Sequence, residues 1–330
     1  MTIPVPRLER SLVTRTAVGL RPFRPAGFRV DGEWLDGRMV IHNYGHGGSG
    51  VTLAPGTAML AAELAAAAPQ REAAVIGAGV VGLCTARELQ RQGVDVALYT
   101  AARTPATTSN AAGAIWGTFT LLGPDGATPA NGARIAQVAR ASHAYYAALD
   151  PGRYGIRAIA LYLVGAEPEL PWELGLTPEL FPVERIEPSA HPFAAPGVLR
   201  TSAMMFEPDR LLAALEADVI AAGGRILERR FATRDDVLAL REPVIVNCSG
   251  TGARVLFGDT SVEPVKGELA LLERQPGIDY AVISLDDDAY ILPRENALVV
   301  GGSRVPGDVT LEPREGAIDR ILERARALYR

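Results

Sequence analysis

The spacing of apolar and polar positions divides the chain into stretches with a strand–helix rhythm and stretches without one. Glu72 to Ile76 is a short apolar run that predicts a buried strand, and Val80 to Gln92 predicts the helix after it. Gly93 closes that helix, and Val94 to Tyr99 predicts a second strand. Strand, glycine turn, helix and strand make one βαβ-type unit of a parallel sheet. A second strand and glycine turn, Val244-Ile245-Val246-Asn247-Cys248-Ser249-Gly250, follows a helix expected from about Pro208 to Ala222. Thr118 to Arg200 is rich in Pro and Gly, lacks this rhythm, and is expected to belong to a second domain. From Val262 to Val300 short β-branched runs alternate with turns, which predicts an antiparallel sheet, and a last helix is expected from about Glu315 to Tyr329. The alanine-rich stretch Ala61 to Ala68 is a good helix former.

Composition narrows the class of molecule. At 330 residues, with 48% hydrophobic and 22% charged residues, the chain can bury two cores in an ordinary globular balance. A formal net charge of −5 leaves no footprint for nucleic acid, and no basic run suggests an acidic membrane. The apolar stretch Ala58 to Ala68 carries Glu63 and is too short to span a bilayer. The first residues show no apolar core of a signal peptide, so a cytoplasmic protein is expected. Two cysteines, Cys84 and Cys248, rule out a disulfide framework and read as buried small hydrophobes.

Two glycine-rich pieces carry the chemistry. Gly77-Ala78-Gly79-Val80-Val81-Gly82, between strand and helix, sets backbone N–H groups and a helix N-terminus against a pyrophosphate. The acidic residue expected at the end of the next strand, to hold a ribose, is absent from Tyr99-Thr100-Ala101-Ala102-Arg103. Thr100 and Arg103 are the candidates to take over part of its role. The other piece is Val40-Ile41-His42-Asn43-Tyr44-Gly45-His46-Gly47-Gly48-Ser49-Gly50, where four glycines in six residues imply close approach to a planar ligand. With His143 and His191 scattered there is no metal constellation, and His42 and His46 read as packing and loop-holding residues.

Together these pieces resemble the D-amino acid oxidase family of flavoproteins, but in the wrong order. In that family the glycine fingerprint opens the chain and the His-Asn-Tyr-Gly segment closes it, so the chain resembles a circular permutation. Pro69-Gln70-Arg71-Glu72 is then the join, and four extended residues reach about 14 Å at most, so the family's usual ends must be close in space. Every family segment occurs once, and a complete molecule is expected. The resemblance implies an α/β fold: a Rossmann-type FAD-binding domain over residues 24–118 and 200–260. A second substrate domain with a mixed or antiparallel sheet, as in the glutathione reductase-like folds, takes 1–23, 119–199 and 261–330.

The resemblance also implies the site. Non-covalent FAD is held by Gly77, Ala78, Gly79, Val81 and Gly82, then by Thr107, Thr108 and Ser109 in the Thr-rich turn, and by Ala112, Gly113 and Ala114 before Trp116. Phe231, Ser249 and Gly250 join the set, and Gly47, Gly48, Ser49, Gly50, Val51 and Thr52 wrap the pyrimidine side of the ring, with Thr52 near its carbonyl oxygen. Arg21, in Gly19-Leu20-Arg21-Pro22-Phe23-Arg24-Pro25, matches the arginine that forks onto the substrate carboxylate; read alone, an arginine between prolines is a solvated loop residue. Tyr290, in Tyr290-Ile291-Leu292-Pro293, supplies a hydroxyl to the same carboxylate, and the Gly48 carbonyl accepts from the substrate amine. A second tyrosine of some relatives is replaced by Asp286. The acidic turn Asp286-Asp287-Asp288 reads as solvated, or, if it rims the pocket, as attracting basic side chains. The lid from Lys266 to Tyr290 is expected to be reduced.

The implied activity is oxidation of a small D-amino acid with dioxygen as acceptor, giving a 2-oxo acid, ammonia and hydrogen peroxide, with a homodimer as the implied assembly. Competing readings are a glycine or secondary-amine oxidase on the same scaffold, or a flavin-binding protein that has lost turnover. An NAD-dependent dehydrogenase leaves the glycines from 45 to 50 unexplained.

Overall fold

The computed structural model describes residues 3–167 and 169–330, and two sheets organise them. The first seven elements are β1 (Val13–Phe23), β2 (Arg29–Leu35), β3 (Arg38–Tyr44), α1 (Gly50–Ala66), β4 (Glu72–Ile76), α2 (Val80–Arg91) and β5 (Asp95–Thr100). A six-stranded sheet has the order β2, β3, Val244–Asn247, β4, β5 and Arg225–Glu228, parallel throughout except for the β2–β3 hairpin. Ala73 to Ile76 of β4 are all buried, as a central parallel strand covered on both faces requires.

The second sheet has nine strands, eight in one order and a ninth, Val305–Pro306, paired with Glu263–Glu273 off that order. β1 lies at one edge, beside Glu263–Glu273, followed by Ala297–Gly301, Tyr290–Pro293, Tyr280–Ser284, Ile156–Gly165, Gly197–Phe206 and Glu184–Arg185. The antiparallel pattern expected after Val262 is present, but Tyr280–Ser284 runs parallel to Ile156–Gly165. Gly197–Phe206 belongs to this sheet, so the boundary expected at residue 200 falls inside a strand.

Two differences from the sequence reading bear on the site. Arg21 lies in a strand and not in a loop: β1 pairs with Glu263–Glu273 from Val13 to Phe23, with Arg21 opposite Val265. Prolines are tolerated there because β1 is an edge strand and Pro22 faces Pro264, another residue without an N–H. The region lacking strand–helix rhythm contains a long helix, Pro129–Ala147, started by the Thr128 side chain, which accepts from the Asn131 amide, and by Pro129 in the first turn. That helix packs on α1, and its Tyr146 hydroxyl donates to the Val51 carbonyl at 2.7 Å.

Candidate active site

A cavity of about 710 Å³ is lined by both glycine-rich pieces and by Arg21 and Tyr290. On one side stands the fingerprint turn. Gly77 has φ +107°, and a β-carbon on Gly82 would sit 1.8 Å from the Gly77 carbonyl oxygen, so α2 can approach β4 only as glycine. Gly79 caps α2 with no side-chain bond, which leaves a helix N-terminus facing the cavity. Ser109 Oγ accepts the Val80 amide at 3.1 Å and keeps its own proton for an anionic oxygen. The Thr108–Ala111 turn that presents Ser109 is fixed by a capping box between Thr107 and Asn110.

On the other side the chain repeats the device. α1 begins at Gly50, and Ser49, at its N-cap position, turns its hydroxyl to the Phe119 carbonyl at 2.8 Å, so the first amides of this helix are also free of a side-chain cap. A β-carbon on Gly48 would meet Thr120 Oγ1 at 2.1 Å. The Thr52 hydroxyl both donates to the Gly117 carbonyl, at 2.9 Å, and accepts its amide, at 3.1 Å. Thr52 therefore offers the cavity its backbone, its hydroxyl being committed to Gly117.

Arg21 and Tyr290 are held at the same cavity. Arg21 Nη1 donates to the Ser303 carbonyl at 2.9 Å, leaving other guanidinium N–H groups for a ligand. A β-carbon on Gly301 would fall 2.2 Å from Tyr290 Cζ, so the phenol ring lies flat against backbone. Burial pushes the Tyr290 phenol up, and the nearby Arg21 guanidinium opposes the shift; the hydroxyl stays protonated at neutral pH and can donate. The acidic turn is exposed, as the solvated reading expects, and Asp287 and Asp288 also line the cavity, with Asp287 paired to Arg324 at 3.2 Å. Arg304 lies there too, its guanidinium 5.1 Å from the Phe23 ring centroid.

The histidines of the signature are packed. His42 bonds Glu33 at 2.7 Å and Asn247 at 3.2 Å. His46 bonds Thr57 at 3.0 Å and stacks on Phe28, and burial pushes it down to about 3, so it is neutral.

Of the residues expected in the site, Gly77, Ala78, Gly79, Val81, Thr107, Thr108, Ser109, Ala112, Gly113, Ala114, Phe231, Ser249, Gly250, Gly47, Gly48, Gly50, Val51, Thr52, Arg21 and Tyr290 line the cavity. Gly82 and Ser49 do not. Gly82 lies behind the turn against Gly77, and Ser49 is spent on Phe119, so both support the site from outside it.

The ribose end corrects the expectation for Thr100 and Arg103. Thr100 Oγ1 accepts the Ala78 amide at 3.2 Å and donates to the Ala102 carbonyl at 2.6 Å, while Arg103 Nε is bound to Glu216 at 2.9 Å. Ala101 and Ala102 line the cavity bare, together with Arg229, Arg230 and Phe231, and the Arg229 guanidinium lies 4.7 Å over the Phe231 ring. Sequence reasoning missed Arg229, Arg230, Phe119, Thr120, Gly267, Ser303 and Arg304 as lining residues. The Gly301-Gly302 pair before Ser303 was the available signal of a close approach there.

Two helix N-termini whose N-cap residues make no side-chain bond, a hydroxyl-bearing turn and glycines that admit backbone to a flat ligand form a donor set that fits FAD, with anionic pyrophosphate at α2. Comparison with known proteins agrees. The FAD dependent oxidoreductase family model matches residues 3–64 and 72–330. The D-amino-acid oxidase of Streptomyces coelicolor is 31% identical over 271 residues, covering 78% of this chain and 77% of its own length. That of Rubrobacter xylanophilus is 30% identical over 262 residues, covering 78% and 76%. Among solved structures, glycine oxidase from Geobacillus kaustophilus superposes with a TM-score of 0.61 at 20% identity over 79% of each chain, a likeness of fold. No helix among the described residues is long and apolar enough to cross a membrane. The chain belongs to this family of FAD dependent oxidoreductases, and it is an FAD-dependent oxidoreductase.

Proposed function

We propose that this chain oxidises small D-amino acids to imino acids, with dioxygen as the final acceptor. The observation that carries the reading is the convergence of Arg21 and Tyr290 on the cavity that both glycine pieces line. FAD, when bound, takes up hydride and passes the electrons on to dioxygen. The protein's part is orientation. Arg21 makes paired, charge-assisted bonds to the substrate carboxylate, and the protonated Tyr290 adds a third. The Gly48 carbonyl accepts from the amine and fixes the other end. Holding both ends of the α-carbon selects which hydrogen faces the ring, and hence the enantiomer. No side-chain base is called for, in keeping with two histidines that are buried and neutral or carboxylate-bound. The start of α1, which carries no side-chain cap, would favour negative charge on the bound flavin.

The experiment is anaerobic bleaching of the yellow protein by D-amino acids, L-amino acids, glycine and sarcosine, with peroxide measured on readmitting air. Bleaching by D-amino acids alone supports the reading. A preference for glycine or sarcosine replaces it with the secondary-amine alternative, and no bleaching by any of them leaves a silent flavin protein.

We also read the chain as circularly permuted, in a soluble homodimeric enzyme. The family match breaks between residues 64 and 72, where α1 runs into β4. The Tyr280 hydroxyl touches both the Pro4 carbonyl and the Tyr329 hydroxyl, and Arg326 Nη1 donates to the Leu8 carbonyl at 2.7 Å, so the two ends of the described chain are neighbours. A version reconnected there and opened between Ala67 and Glu72 is expected to fold and bind flavin. Insoluble or colourless protein from that version counts against the permuted reading.

A further inference from the structure

Lys266, Gly267 and Glu268 sit within the strand Glu263–Glu273, opposite Leu20, Gly19 and Val18 of β1. Successive side chains of a strand point to opposite faces. Gly267 faces Arg21, and a β-carbon on it would fall 2.7 Å from the guanidinium carbon. Lys266 and Glu268 share the opposite face and are both fully buried.

Their partners lie on one segment, Ser303 to Arg314. Lys266 Nζ donates to Asp308 Oδ2 at 3.1 Å, to Thr310 Oγ1 at 2.7 Å and to the Glu312 carbonyl. The Glu268 carboxylate accepts the Arg314 amide at 2.6 Å and Arg314 Nη2 at 3.1 Å. At the near end, the Glu268 amide donates to Ser303 Oγ at 2.9 Å, and Val305–Pro306 pairs with Val265 and Lys266. The Ser303 carbonyl is the group that accepts Arg21 Nη1.

A buried ammonium is tolerated only when its three protons are all satisfied, and here all three acceptors belong to the same strap. Apolar contact would hold such a strap by area. Directional bonds to two buried charges hold it in one register, which fixes where the Ser303 carbonyl stands.

We propose that Lys266 and Glu268 are positioning residues that clamp the strap from 303 to 314 and thereby aim the Arg21 guanidinium at a carboxylate ligand. The proposal rests on the reading of Arg21 given above, and the test separates the two. Flavin-loaded protein is titrated with benzoate, a carboxylate with no α-hydrogen to lose, and binding is followed by the change in flavin absorbance. Arg21→Ala is expected to weaken benzoate about a hundredfold and Lys266→Met about tenfold, with flavin affinity unchanged in both. The double variant is expected to bind no more weakly than Arg21→Ala alone, because the clamp acts only through Arg21. Should Lys266→Met fail to fold, Asp308→Asn/Thr310→Val removes two of the three acceptors from the strap and enters the same cycle. Parental benzoate affinity in the clamp variants while Arg21→Ala loses it overturns the clamp, as do additive effects in the double variant. Parental affinity in Arg21→Ala overturns the reading of Arg21, and the clamp with it.

Discussion

The two sides of the cavity are built on different principles. At the ring side, Arg21 and Tyr290 are pressed against backbone that only glycine permits, and Arg21 is bonded to a carbonyl set by buried charges. At the ribose side, Ala101 and Ala102, after the strand whose end usually carries a carboxylate, present no polar side chain, and Arg229 and Arg230 line the same cavity. On the proposed reading the substrate end has several fixed contacts, whereas the adenosine end would rely on a helix N-terminus and on Arg229 over the Phe231 ring. On that reading, retention of the cofactor is expected to be more sensitive to substitution than placement of the substrate.

The sharpest way to break that contrast is Arg21→Ala. It is expected to lower kcat/KM on D-amino acids about a thousandfold, about 4 kcal/mol, with flavin affinity unchanged. Loss of flavin in that variant would show that the two sides are not separable. Gly82→Ala acts behind the turn. Its added carbon overlaps the Gly77 carbonyl, and calorimetry is expected to show about 2 kcal/mol of lost stability together with loss of yellow colour.

A pH titration of stability probes the ring side. The folded His46 takes up a proton only near 3, whereas the unfolded chain does so near the ordinary value of 6.5. Between these values the unfolded state binds more protons, so stability falls as pH drops through that window. From pH 7 to pH 5 the share of this loss that His46 contributes is expected to be about 2 kcal/mol by urea unfolding. His46→Gln is expected to remove that share while leaving those of His42, His143 and His191, which burial also pushes down. The smallest effect sharpens the ribose side: Ala101→Asp is expected to tighten FAD about tenfold by fluorescence titration, with kcat unaltered. Unchanged affinity would mean that Arg229 and Phe231 already hold the adenosine as firmly as a carboxylate does.

The sequence was most legible where spacing is local. Glu72–Ile76, the glycine turn, Val80–Arg91 and the second strand lie within two residues of their expected bounds because period and turn chemistry coincide. Arg21 and Tyr290 came from resemblance, since an arginine before a proline says nothing of the strand Glu263–Glu273 that pairs with it. The helix Pro129–Ala147 was hidden by its surroundings, although Thr128-Pro129 marks its start. Thr52, Ser49 and Thr100 show a different limit: a hydroxyl's type is readable, but whether it serves a ligand or a neighbouring carbonyl depends on contacts made across the fold. Ser303 and Arg304 were invisible for the same reason, as they reach the cavity only because the strap is folded back on Lys266.

The order of β3, Val244–Asn247 and β4 in the smaller sheet also bears on how the enzyme is made. A ribosome emits both glycine turns early, between residues 45 and 82, yet the strand that must slot between β3 and β4 leaves the exit tunnel only after residue 247. Until then β3 and β4 lack the strand that joins them in the finished sheet. A site that needs both glycine turns on one finished sheet is therefore expected to be complete only late in synthesis.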